Sequence, residues 1–83
     1  MRLLYFAWVK EKTGIAAEEV ELPQDVATVA ELIDWLKTRG PEFANAFARS
    51  EVIRAAIDQT HAHHDATIGK AREIAFFPPV TGG

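Results

Sequence analysis

The residues most open to chemistry close the chain: Phe76-Phe77-Pro78-Pro79-Val80-Thr81-Gly82-Gly83. Two consecutive prolines fix φ and remove two backbone donors, so this segment cannot continue a sheet and takes an extended form. From Pro78 onward the chain reaches roughly 20 Å when extended, enough to enter a deep pocket on another protein. Gly82 and Gly83 lack Cβ atoms, so they pass a constriction that a side chain would block. The terminal carboxylate is ionised at neutral pH. It is a poor acyl donor and must be activated, for example as an acyl-adenylate, before a nucleophile displaces it. At ordinary glycine usage a chance terminal pair occurs in roughly one chain in two hundred. The weight therefore rests on the pair together with the proline-stiffened segment before it. The expected chemistry is delivery of a group from the Gly83 terminus, after that terminus has been held in a narrow ATP-dependent activating site.

Other residue types offer less. There is no cysteine, which excludes a disulfide scaffold, a cysteine zinc site and a cysteine nucleophile. It suits a reducing, cytoplasmic setting. His61, His63 and His64 cluster beside Asp65. On a strand His61 and His63 would share a face, but a polar loop or exposed edge strand is the plainer reading, and no metal site is assigned. No nucleophile–base–orienter set is evident. A net charge of −3 without a basic block argues against a nucleic-acid partner. The apolar run at residues 3–9 is too short to span a bilayer and has no signal-peptide cleavage site, so no membrane partner is expected.

These groups need a body to hold them. The chain has 83 residues, 48% hydrophobic and 25% charged, which fits one folded domain over residues 1–77 with a tail at 78–83. The aromatic and aliphatic run 3–9 predicts a central strand. Residues 18–22 alternate and predict a second strand, paired with the first as a hairpin after Thr13-Gly14 and ended by Pro23. Thr28-Val29-Ala30-Glu31 is a capping box that opens the main helix. Val29, Leu32, Ile33 and Leu36 form its apolar face, with Trp35 at the flank. Gly40 is expected to stop this helix and Pro41 to open a short second one, on which Phe43 and Phe47 share a face. A third strand is expected over 52–57, loops and a short edge strand over 61–69, and a last strand over 73–77. That last strand puts Ile74 and Phe76 on one face, Ala75 and Phe77 on the other. One ring of Phe76 and Phe77 belongs to the core and the other to a partner contact. The element order predicts an α+β fold: a β-grasp, or ubiquitin-like, mixed sheet packed on one main helix plus a short helix, with the first and last strands central.

The closing run from Phe76 to Gly83 resembles the C-terminal signature of the small subunit of molybdopterin synthase, the MoaD family of sulfur carriers. Thr28-Val29-Ala30-Glu31-Leu32 and Ile57-Asp58-Gln59-Thr60 resemble the family's first long helix and its Asn-Gln turn. Gly69-Lys70-Ala71-Arg72-Glu73 departs from the family's acidic Asp-Gly-Asp-Glu turn, which bears on loop shape and local contacts rather than on the tail. The resemblance implies a sulfur carrier whose Gly83 is adenylated, converted to a thiocarboxylate and used to donate sulfur to cyclic pyranopterin monophosphate. Pro79, Val80, Thr81, Gly82 and Gly83 would enter the large synthase subunit, while Phe76, Phe77 and Pro78 would contact it. The implied assembly is a heterotetramer with the acid–base residues on the large subunit. The chain would then be the non-catalytic, sulfur-donating part of a sulfurtransferase. The other implied partners are an ATP-dependent adenylating enzyme and a sulfur donor protein, with no tightly bound cofactor. The residues by themselves leave a thiamine-pathway carrier, a ubiquitin-like modifier and a plain interaction module as alternatives.

Overall fold

Five short strands and three helices arise from two hydrophobic periodicities, and a computed structural model describes them over residues 1–79. In β1 (Arg2–Tyr5) Leu3 and Tyr5 are buried while Arg2 is exposed, the period of two that strand geometry imposes. The expected strand over 3–9 is corrected here: it ends at Tyr5, and Ala7–Thr13 is helix α1. The chain turns at Ala7, whose φ of 53° is rare for a side-chain-bearing residue. Val9 and Thr13, four apart, then face the core. Lys10 and Lys12 lie in the last turn, and Gly14 closes α1 in the left-handed conformation at φ 86°, as a C-terminal glycine does.

The second strand, β2 (Ala17–Glu19), is shorter and earlier than the expected 18–22. It does pair antiparallel with β1. Main helix α2 (Val29–Lys37) has the predicted capping box, with Thr28 Oγ1 accepting from the Glu31 N–H at 3.2 Å and Glu31 Oε1 accepting from the Thr28 N–H at 3.0 Å. Val29, Leu32, Ile33 and Leu36 are all buried. Gly40 does not end this helix. Thr38 does, and Gly40 (φ 146°) instead precedes α3 (Pro41–Ala46), which Pro41 opens. A single 3-10 turn, Ser50–Val52, delays the third strand, so β3 is Arg54–Ile57 rather than 52–57. The short edge strand is β4 (Thr60–Ala62), and β5 is Glu73–Phe77 as expected.

The sheet order is β2-β1-β5-β3-β4. Strands β1 and β5 run parallel at its centre, and every other pairing is antiparallel. This is the mixed sheet of the β-grasp, with the first and last strands adjacent. Leu3, Tyr5, Ala55, Ile74 and Phe76 join α2, Val9 and Phe47 in one core cluster. Tyr5 meets Phe43 and Phe47 edge-on and stacks with Phe76, at centroid distances of 6.0, 6.4 and 6.2 Å. Such ring pairs add to the area they bury. Among the described residues no helix is long and apolar enough to cross a membrane.

Candidate functional site at the root of the terminal arm

The strand that leads to the terminus is the middle strand of the sheet. On one side β5 is laddered to β1, on the other to β3, so its end is fixed from both directions. The Phe6 N–H extends the parallel ladder by donating to the Phe76 carbonyl at 3.0 Å. Pro78 and Pro79 follow, both half-buried. Val80, Thr81, Gly82 and Gly83, expected to carry the chemistry, lie outside the described residues.

Strand alternation separates the two phenylalanines. Phe76 is fully buried against Tyr5 and against Phe47, the latter at 5.2 Å with rings nearly perpendicular. Its expected part in a partner contact is therefore corrected: the ring belongs to the core and has no surface to offer. Phe77 is half-buried on the opposite face and meets the His61 ring at 5.3 Å.

Among the described residues no helix packs on that opposite face, and its central strip is apolar. Leu4 pairs with Ala75, Ala75 with Ala56, and Ala56 with His61 across four strands. Phe6, one step beyond β1, keeps extended backbone (φ −124°, ψ 154°), so alternation places it on this face beside Phe77. It is 48% exposed, and the only other large hydrophobic residue so exposed among those described is Ile15 at 37%. Together with half-buried Leu4 and Phe77, Phe6 adds to the apolar character of this face. The sequence reading missed Phe6 because it took residues 3–9 as one buried strand. The two-residue alternation from Leu4 was the signal available.

Beside Phe77 lies a groove of about 330 Å³, lined by Arg54, His61 and His63 with Ala55 and Ala62. His64 does not join it. Its Nε2 lies 2.8 Å from the Ile53 carbonyl oxygen, and the carbonyls of His64 and Ala66 accept the N–H groups of Ala30 and Val29 at the start of α2. The histidine stretch thus splits, His64 helping to cap a helix while His61 and His63 face the groove. Among the described residues no group of three or more potential ligands converges on a metal position. The atypical 69–72 turn is also anchored: Asp58 Oδ1 accepts from the Arg72 and Glu73 N–H groups, both at 3.0 Å.

Beneath the sheet edge, the Tyr5 hydroxyl donates to Glu18 Oε2 at 2.7 Å, and Arg39 grips both oxygens of that carboxylate, Nη2 to Oε1 at 2.9 Å. Burial first, then the Glu18 carboxylate, pushes the Tyr5 hydroxyl far above the usual phenol range. Held so firmly in its protonated form, it is a structural donor and not an acid. Burial acts to raise Glu18, but the hydrogen bonds from Arg39 and Tyr5 and the charge of Arg39 outweigh it and hold the carboxyl below its ordinary value. The network ties β1, β2 and the end of α2 together.

Comparison with known proteins agrees with this geometry. Residues 3–83 match the ThiS family. The chain is 35% identical over 83 residues to the molybdopterin synthase sulfur carrier subunit of Haemophilus influenzae, covering 100% of this chain and 99% of that one. It is 36% identical to the protein of the same name from Escherichia coli, with the same coverage. The crystal structure of SAMP1 from Haloferax volcanii superposes with a TM-score of 0.73 at 26% identity, covering 100% of this chain and 98% of that one.

Proposed function

This chain belongs to the ThiS family, and from that premise we propose that it is the sulfur carrier subunit of a molybdopterin synthase, with Gly83 as its reactive terminus. The observation that carries the reading is the junction at Phe77. A central strand held on both sides ends there, and the run Pro78-Pro79-Val80-Thr81-Gly82-Gly83 begins. Full-length similarity to proteins named as molybdopterin synthase sulfur carrier subunits favours this substrate over that of a thiamine-pathway carrier.

In this reading residues 1–77 are a rigid handle and 78–83 the working arm. A Gly83 carboxylate oxygen attacks the α-phosphorus of ATP on an activating enzyme, and pyrophosphate leaves. A sulfide equivalent from a sulfur donor protein then displaces AMP and leaves a thiocarboxylate. The carrier docks on the large synthase subunit through its open sheet face, with Phe6, Phe77 and Pro78 as apolar contacts, while residues 79–83 enter the active site. There the thiocarboxylate sulfur bonds to a side-chain carbon of the cyclic pyranopterin monophosphate as a C–O bond at that carbon breaks and its oxygen departs. Water then cleaves the acyl C–S bond of the resulting thioester, which returns the Gly83 carboxylate and leaves the sulfur on the pterin. Proton transfers fall to the large subunit. Two carriers on a large-subunit dimer make the heterotetramer, in the cytoplasm. The missing cysteine is consistent with this chemistry, because a thiocarboxylate supplies a nucleophilic sulfur without one.

Intact-mass measurement of the chain from its own cells tests the reading. The expected species is heavier than the plain chain by the difference between one sulfur and one oxygen. Finding only plain chain and lysine conjugates would replace the carrier with a protein modifier.

A further inference from the structure

The groove at the arm's root has a charge pattern that sulfur delivery does not use. Arg54, His61 and His63 face it, and among the described residues no acidic side chain lines it, although the chain as a whole carries a net charge of −3. Among the described residues Arg54 enters no ion pair. Glu51, which lines the adjoining depression with Arg54 and His63, is paired with Arg49 at 3.4 Å. Arg39 makes the contrast, since its charge is matched inside the fold by Glu18. Strand register creates the cluster. Arg54 lies opposite Phe77, His61 lies opposite Ala56, and His63 follows His61 by two residues, so all three present toward the open face. The remaining lining is two alanines and the Phe77 ring, which leaves little for a large apolar side chain to gain.

We propose that this groove receives an aspartate or glutamate side chain of the large synthase subunit when that subunit covers the open sheet face; this rests on the sulfur-carrier reading above. The guanidinium offers a planar fork that matches a carboxylate with two parallel hydrogen bonds. Imidazole N–H groups supply further donors. The Phe77 ring screens one side from water, which strengthens the contact once it is covered. Apolar patches alone permit sliding and rotation, whereas a charge pair fixes register. The groove adjoins Phe77, one residue before Pro78, so the pair sets the direction in which the arm leaves the docked carrier.

Calorimetric titration of the full-length chain into its cognate large subunit, at low and high sodium chloride, tests this. Wild-type affinity falls as salt rises. Arg54→Glu weakens docking by about tenfold or more and flattens the salt dependence, while Arg54→Lys keeps part of both. Arg54 is exposed, so circular dichroism should show the fold of each variant unchanged. Phe77→Ala is the separate arm, since it removes apolar surface and leaves the charges in place. Weakened docking by Phe77→Ala with no effect of Arg54→Glu overturns the groove proposal and leaves the docking reading standing. If neither change matters, the open face is not the interface and both ideas fall. Arg54→Glu is also made in a chain ending at Pro79. If the Arg54 effect disappears there, the carrier's own terminus fills the groove, which overturns a partner carboxylate.

Discussion

Glu18 shows how a single charged residue can act as a structural tie. Its carboxylate accepts from Tyr5 and Arg39 and is held below its ordinary pKa. A depressed carboxyl contributes stability that is present above its unfolded-state value and is lost as pH falls through the folded-state value. Glu18→Gln should therefore be less stable than the wild type at neutral pH, by about 1–3 kcal/mol, because Arg39 loses its counter-charge and the Tyr5 hydroxyl is left with a weaker acceptor. That difference should shrink as pH falls through and below the ordinary glutamate range, because the folded-state value lies lower still. Urea unfolding at a series of pH values measures it, and a difference independent of pH would show that the network is not proton-linked. Nothing in the sequence joins Glu18 to Arg39, which lie 21 residues apart. The pairing exists because β2 and the end of α2 meet at the same sheet edge.

Among the elements, α2 was the most legible and α1 the least, and the reason is physical. The start of α2 satisfies itself locally, through the Thr28 and Glu31 side chains and its own four-residue apolar stripe. Local chemistry of that kind can be read from spacing alone. Even so, two of its first donors, on Val29 and Ala30, are satisfied by carbonyls of Ala66 and His64 from a distant loop. Thr28→Ala removes only the Glu31 donor's partner, so it should cost about 1 kcal/mol in thermal or urea unfolding, without loss of the helix by circular dichroism. A much larger loss would mean that the loop does not cap α2 independently. Helix α1 has no side-chain cap at Phe6, and its apolar residues run straight on from β1. Only the turn at Ala7 divides strand from helix, and no composition rule predicts a positive φ at alanine.

At the scale of the whole molecule, the sulfur-carrier reading proposed above sets a folded body apart from a reactive end. Core burial accounts for the folded body, and the core cluster of the described residues runs from Leu3 to Phe76. Deletion of Gly83 should leave the melting temperature within a degree or so, because a terminal glycine brings no side chain to the packing, while on the sulfur-carrier reading transfer to the pterin substrate is abolished. Differential scanning calorimetry and a product assay on the reconstituted synthase measure the two, and a clear drop in melting temperature would place the terminus inside the folded body. By itself the sequence determined the β-grasp class, the capped helix and the last strand, because each depends on residue type at short spacing. Tertiary structure decided what depends on register across the sheet. It sent Phe76 into the core and Phe77 outward, exposed Phe6 beside the arm, and gathered Arg54, His61 and His63 into one groove while turning His64 to a helix cap. Which residues from distant strands share a face is fixed by pairing and alternation together, and pairing is settled only when the chain closes on its core.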